Sequence, residues 1–410
     1  MARILYITPM WHDATAPNDP KVCNYFVQSW VQQGHSVIAI HVRSCFPIFY
    51  KHIAKLVPSI YNRLRGDNSE LMTDTRMTKE VYSGATVYSY PLYKYVPHGR
   101  VSETTLKKLS LKICEEISRC GFVPDYIIGH FVNPTAKLIA LLSIRFPNAK
   151  TTLTLHEGAS TIDRVLRNKG ERILNSFASI GYRSMFIQRD VENRYELTNH
   201  RFICYSGIAS SFLRQPLRPR KWTDGAIISF LFVGRLVFYK HPKAVAQALE
   251  NVYGKEYFKY NIIGKQDVAY DDLCKYIEDN NLQNSVHCLG SMEREKIISW
   301  YDQSDCYVMI SSHEVFGLVY LEAMARGCIT IAGSDGGMEG IIKHGVNGFL
   351  CEPGNVEQLC EIIKEINNMS AEQKTAISNN AVKTAMSFSD MEVAERYIAN
   401  VNYDDINNRR

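Results

Sequence analysis

Apolar positions along the chain follow two alternating rhythms. Short unbroken apolar runs read as buried strands, and between them apolar residues recur every three or four positions, as in helices lying on a sheet. Strands are predicted at 3–8, 36–42, 86–91, 125–129, 151–155, 185–188, 202–205, 227–233, 260–263, 286–289, 306–310 and 328–332. Helices are predicted at 21–33, 103–119, 134–144, 189–196, from Pro242 onward, at 318–325, and at about 355–368, 371–387 and 390–401. This alternation builds parallel α/β sheets. Residues 67 to 82 are polar and read as a loop. Residues 209 to 226 mix prolines and arginines with no period and read as a linker between an N-terminal half, 1–208, and a C-terminal half, 227–387.

The chemistry concentrates in SSHEVFGLVYLEAMARGCITIAGSDG, residues 311 to 336. A polar turn, Ser311 to Gly317, joins a buried strand to a helix that Gly327 ends. The amides of Phe316, Gly317 and Leu318 fall where a helix leaves its N–H groups without internal partners, a place suited to phosphate. Gly317 allows a close approach to the backbone. Glu314 and Glu322 would repel an anion but accept paired hydroxyls. Hydroxyls beside a phosphate describe a sugar nucleotide. A second cluster follows the strand 227–233: Gly234 permits a tight turn, and Arg235 and Lys240 can converge on one anion ahead of a helix opened by Pro242.

The string E-x-F-G-x-x-x-x-E-A-M-A-x-G resembles the donor-site signature of retaining GT-B glycosyltransferases, in particular glycosyltransferase family 4. FVGRLVFYK resembles the same family's V-G-R-L-x-x-x-K-G, with His241 in place of the last glycine. The resemblance implies two doubly wound Rossmann-like domains facing a central cleft. It implies that Glu314 holds the donor sugar, Glu322 the ribose, and Gly234, Arg235, Lys240 and the 316–318 amides the diphosphate. The family's turn after 260–263 makes Lys265 a further phosphate candidate. TLHEG, after the strand 151–155, resembles the family's T-x-H and makes His156 a catalytic-site candidate, with His130 at an equivalent strand end. The Ser206-Gly207-Ile208 turn resembles the family's exit from its first domain, and the family's last helix, here about 388–402, returns to that domain. The loop after the first strand departs from the family: it lacks paired glycines and carries Trp11, His12, Asp13 and Lys21.

What the resemblance implies in function is transfer of a sugar, with retention, from a nucleotide-diphosphate sugar (UDP first, GDP next) to a glycan or lipid-linked acceptor, without a required metal or cofactor. Cell-surface polysaccharide synthesis is the expected setting. The alternatives are an inactive sugar-nucleotide-binding GT-B protein and a GT-B nucleotide-sugar epimerase. Composition adds modest bounds. A net charge of +5 gives no argument for nucleic acid. The eleven cysteines lack C-x-x-C pairs and read as reduced thiols rather than a zinc site. No apolar run reaches a membrane span, so a cytoplasmic protein is expected. Residues 43 to 66 are basic, aromatic and free of acids. They read either as a peripheral contact with anionic membrane or as a helical hairpin packed on the first half with a solvated basic face.

Overall fold

A computed structural model describes residues 1–13, 21–45, 76–93, 101–214 and 220–403. It contains two parallel α/β sheets of Rossmann type. The first comprises β1 (Arg3–Thr8), β2 (Ser36–Cys45), β3 (Thr78–Tyr82), β4 (Ala85–Tyr93), β5 (Tyr126–His130), β6 (Lys150–Leu155), β7 (Ser179–Tyr182) and β8 (His200–Ile203), in the order β3-β4-β2-β1-β5-β6-β7-β8. Only β3 runs antiparallel, against β4. The second comprises β9 (Ser229–Val233), β10 (Lys259–Ile263), β11 (Val286–Gly290), β12 (Cys306–Met309), β13 (Ile329–Gly333) and β14 (Phe349–Cys351), in the order β11-β10-β9-β12-β13-β14.

The chain folds into two compact units. One holds Met1–Arg183, Ile187–Cys204 and the chain from Val393; the other holds Ser184–Phe186 and Tyr205–Glu392. In the first unit the part of the terminal helix Asp390–Val401 from Val393 onward is fixed by Trp30 Nε1 donating to the Ala394 carbonyl (3.1 Å) and by Tyr397 Oη bonding Thr154 Oγ1 (2.7 Å).

The strands form where the sequence supplies unbroken apolar residues, because both faces of a helix-covered sheet are buried. Tyr6, Ile7, Phe230, Leu231, Tyr307 and Val308 are all fully buried. Each sheet reverses its strand order once, between β1 and β5 in the first and between β9 and β12 in the second. Open α/β sheets bind ligands beyond the carboxyl ends of the strands at such a reversal. The turns after β9 and β12 are Gly234–Lys240 and Ser311–Gly317, the two segments that carry the candidate donor chemistry.

Three expectations are corrected. Residues 185–188 are not a strand but open the helix Met185–Glu192, where Ile187 and Val191, four apart, are the buried pair. A three-residue apolar run fits either element, and burial of one stripe decides for the helix. Within 67–82, Thr78–Tyr82 is an edge strand rather than loop; it has no apolar alternation because nearly all of it is exposed. Residues 43–45 of the basic stretch belong to β2, with Arg43 buried and its Nη2 donating to the Arg76 carbonyl (3.0 Å). Residues 46–66 and 215–219, which carry the rest of that stretch and the middle of the linker, lie outside the described residues.

Candidate donor and strand-end sites

In the second unit the turn after β9 is built by close backbone approach. A Cβ on Gly264 would lie 1.8 Å from the Gly234 carbonyl oxygen, so the turns after β9 and β10 touch main chain to main chain. Leu236 N donates to the Lys265 carbonyl (3.0 Å) across the same seam, and the Lys265 side chain is exposed. Arg235 is partly exposed, with Nη1 3.9 Å from Asp267 Oδ2. The short turn Phe238–Lys240 then carries Lys240 back over Gly234; a Cβ there would sit 3.3 Å from Lys240 Nζ.

The loop after β12 meets it. Lys240 Nζ is 3.1 Å from Glu314 Oε2, with both side chains largely buried. The loop's course is set by glycines further along the chain. A Cβ on Gly333 would lie 2.1 Å from the Ser311 carbonyl oxygen, and one on Gly337 2.2 Å from Phe316 Cα. Gly337 N also donates to the Glu314 carbonyl (2.6 Å). Gly317 adopts φ 77°, ψ 67° and starts the helix Leu318–Ala325, and Phe316 stacks on Tyr205 at 5.5 Å. Glycine is needed at 317 both for this left-handed conformation and because a Cβ would meet the Tyr320 ring at 2.5 Å. The arrangement gathers Gly234, Arg235, Lys240, Glu314 and the 316–318 amides around the sheet's reversal point.

Glu322 lies on the helix Leu318–Ala325 and is only 4% exposed along its side chain. The resemblance implies a carboxylate that accepts ribose hydroxyls here, and the structure shows one already engaged by two side chains. Oε1 is ion-paired with Arg294, and Tyr301 Oη donates to Oε2 at 3.3 Å. A carboxylate has about four lone-pair directions, and these contacts occupy two of them. Sequence reasoning missed Arg294, and no motif marks it: it stands in an ordinary charged helix start, Arg294–Gln303.

In the first unit His130 ends β5 and His156 follows β6. His156 Nε2 is 3.1 Å from His130 Nδ1, and its ring stacks on Phe131 at 3.9 Å. Phe131 has φ 68°, an uncommon conformation for a bulky residue and of the kind that collects at functional sites. Burial, then the nearby Arg183 guanidinium, holds both imidazoles well below the usual histidine pKa, so both are neutral at pH 7. Beside them Glu157 accepts from Val132 N (3.3 Å), and burial pushes its carboxyl up to about 7. In the loop after β1, the Asn24 side chain pins both the N–H and the carbonyl of His12 (3.0 Å each), and Trp11 Nε1 donates to Glu80 (3.2 Å).

Among the described residues no cluster of three or more His, Cys, Asp or Glu could hold a metal ion, and no helix is long and apolar enough to cross a membrane. All eleven cysteines are free thiols.

Residues 222–384 match the family model described as glycosyl transferases group 1. An uncharacterised glycosyltransferase of Methanocaldococcus jannaschii is 34% identical over 131 residues, which is 32% of this chain and 33% of that protein. A second from the same organism is 24% identical over 339 residues, 81% of this chain and 90% of that protein. Among solved structures, Anabaena HepE in complex with UDP and glucose superposes with a TM-score of 0.62 at 16% identity, over 98% of this chain and 100% of that one. The structural likeness carries the fold, two Rossmann-like units of the GT-B class. Family match, relatives and fold together support a GT-B glycosyltransferase.

Proposed function

We propose that the protein is a retaining glycosyltransferase of family 4, transferring a sugar from a nucleotide-diphosphate sugar to a glycan or lipid-linked acceptor. The observation that carries this reading is the pairing of Lys240 with Glu314 at the reversal point of the second sheet. A cation for the diphosphate and a carboxylate for sugar hydroxyls are held within one contact distance. UDP is the favoured nucleotide, supported by the UDP complex of the HepE neighbour, and GDP is next.

In this reading Arg235, Lys240 and the 316–318 amides neutralise the diphosphate, including the charge that develops as it departs. Lys265 approaches the same phosphates from the neighbouring turn. Glu314 accepts hydroxyls of the donor sugar and fixes its pose, and Glu322 accepts those of the ribose. Orientation and leaving-group stabilisation supply much of the rate without a covalent nucleophile. The leaving phosphate then takes the acceptor's proton, which places the new bond on the face the nucleotide left. His156, neutral at pH 7, serves as a hydrogen-bonding group rather than as a cation. The acceptor belongs to cell-surface polysaccharide synthesis at the inner face of a membrane, a setting motivated by the basic stretch 46–66.

The test is a thermal-shift panel of UDP-, GDP-, ADP- and CMP-sugars on the native chain and on Glu322→Ala. A donor at 100 times its Kd stabilises by about 2.7 kcal/mol. One nucleotide series should shift the native protein and lose most of its effect in the variant. No shift with any series would overturn the reading.

A further inference from the structure

Lys240 is bracketed by one residue. Ser312 N donates to the carbonyl of Tyr239 (2.7 Å), immediately before Lys240, and Ser312 Oγ bonds Nε2 of His241 (2.9 Å), immediately after it. Ser312 is also two residues before Glu314. The two backbone segments that present the cation and the carboxylate are therefore joined at two points, one on each side of Lys240.

The first of these bonds is main chain to main chain at the turn. The second exists only because residue 241 has a side chain that reaches. Its backbone is left-handed, φ 51°, ψ 42°, where glycine sits freely and histidine is strained. A strained non-glycine residue persists when its surroundings hold it. Here the imidazole is seated on the backbone of Gly354, where a Cβ would come within 2.9 Å of Nδ1. Gly354 N in turn donates to the carbonyl of Ile310, at the head of the Ser311–Gly317 loop (3.3 Å). Burial also holds the His241 pKa below its ordinary value, against the opposing pull of Asp335, so the ring adds no second positive charge beside Lys240.

We infer that His241 is a positioning residue of the donor site: through Ser312 it staples the turn carrying Lys240 to the loop carrying Glu314, and so sets the Lys240–Glu314 geometry before any nucleotide arrives. The inference rests on the donor-site reading above and adds to it a component that the resembling motif lacks, since that motif has glycine at this position. Glycine would relieve the backbone strain and lose the staple. Histidine accepts the strain and gains preorganisation, which lowers the ordering cost of binding.

The experiment is calorimetric titration of UDP and of GDP into the full-length native protein, His241→Gly, Ser312→Ala and the double variant, with thermal unfolding of each. One neutral hydrogen bond corresponds to about fivefold in Kd. His241→Gly and Ser312→Ala should each weaken nucleotide binding by about fivefold, and the double variant by no more than either single change, because all three remove the same tie. With a sugar donor, turnover should show the loss mainly in KM. The Tm of His241→Gly should be unchanged or raised, since strain is released. A purely structural histidine would instead lower Tm and affinity together, with Ser312→Ala adding to the loss, and that pattern would overturn the inference. Nucleotide binding by His241→Gly within twofold of native would also overturn it while leaving the donor reading intact. If neither UDP nor GDP binds the native protein, the donor reading fails and takes the staple's role with it.

Discussion

Truncating Arg294 isolates the energetics of the buried Glu322 carboxylate. In Arg294→Ala, Glu322, 4% exposed, keeps the Tyr301 hydroxyl at 3.3 Å as a donor but loses its cation. Removing one member of a buried ion pair costs about 3–5 kcal/mol, because the other charge stays desolvated. Arg294 is 30% exposed, so water enters the vacated space and the loss is discounted to about 2–3 kcal/mol. The guanidinium also covers the Phe212 ring at 5.3 Å, and that packing is lost with it. At about 2–4 °C per kcal/mol, Tm should fall by about 4–12 °C. The decisive comparison adds Glu322→Gln. If the cost is a stranded charge, the double variant is more stable than Arg294→Ala, although it carries one more substitution. Thermal unfolding followed by circular dichroism at pH 7.5 measures all four proteins of the cycle. An Arg294→Ala variant within about 0.5 kcal/mol of native, or strictly additive losses, would refute the argument and mean that the pair is solvated and energetically idle.

Further expectations concern pH and backbone. Burial depresses the His41 pKa to about 4, with Arg43 lowering it further and Asp13 opposing, while Nδ1 bonds Ser89 at 3.1 Å. The folded state thus refuses a proton that the unfolded state accepts near 6.5, and stability falls as pH drops from about 6.5 toward 4, by up to about 3 kcal/mol; His41→Gln should flatten that limb in urea titrations. Glu157 has the opposite slope. Its folded pKa of about 7 lies above the unfolded value, so stability declines as pH rises from about 4.5 to 7. Because Glu157 is half-buried, the discounted size is about 1–2 kcal/mol. Glu157→Gln should therefore exceed native stability at pH 8, and an unchanged or lower Tm there would count against it. Gly317→Ala forces a side chain into a left-handed position 2.5 Å from the Tyr320 ring and should cost about 1–3 kcal/mol while abolishing the nucleotide-dependent thermal shift.

The parts of this molecule that sequence reasoning reached share one physical cause. Strands β1, β9 and β12 carry unbroken apolar runs, Ile4–Ile7, Phe230–Val233 and Cys306–Met309, that are buried on both faces, and burial of that kind is written residue by residue. The Ser311–Gly317 turn is legible for a related reason: a glycine and an acid between a buried strand and a helix, with a second acid inside that helix, have few alternative explanations. What stayed hidden depends on partners distant in sequence. The edge strand Thr78–Tyr82 is exposed, so no hydrophobic pattern specifies it; it is held by pairing with β4. Arg294 lies 28 residues from Glu322, and a single arginine in a charged helix start carries no mark of its partner.

The glycines at 333 and 337 make the same point from the other side. Along the chain they are two members of a glycine-rich turn; in space their missing side chains make room for the Ser311 carbonyl and the Phe316 backbone. Their identity records a neighbour's position, and only the fold says which neighbour. The His241–Ser312 bond goes one step further. In sequence, histidine for glycine at 241 counts as a departure from the resembling motif and weakens the match. In space it adds a tie that the motif lacks. A mismatch at a position flanking a site residue is then not only lost resemblance. Where the new side chain is strained, seated and hydrogen-bonded, as His241 is, the mismatch marks where this chain has changed how its site is held.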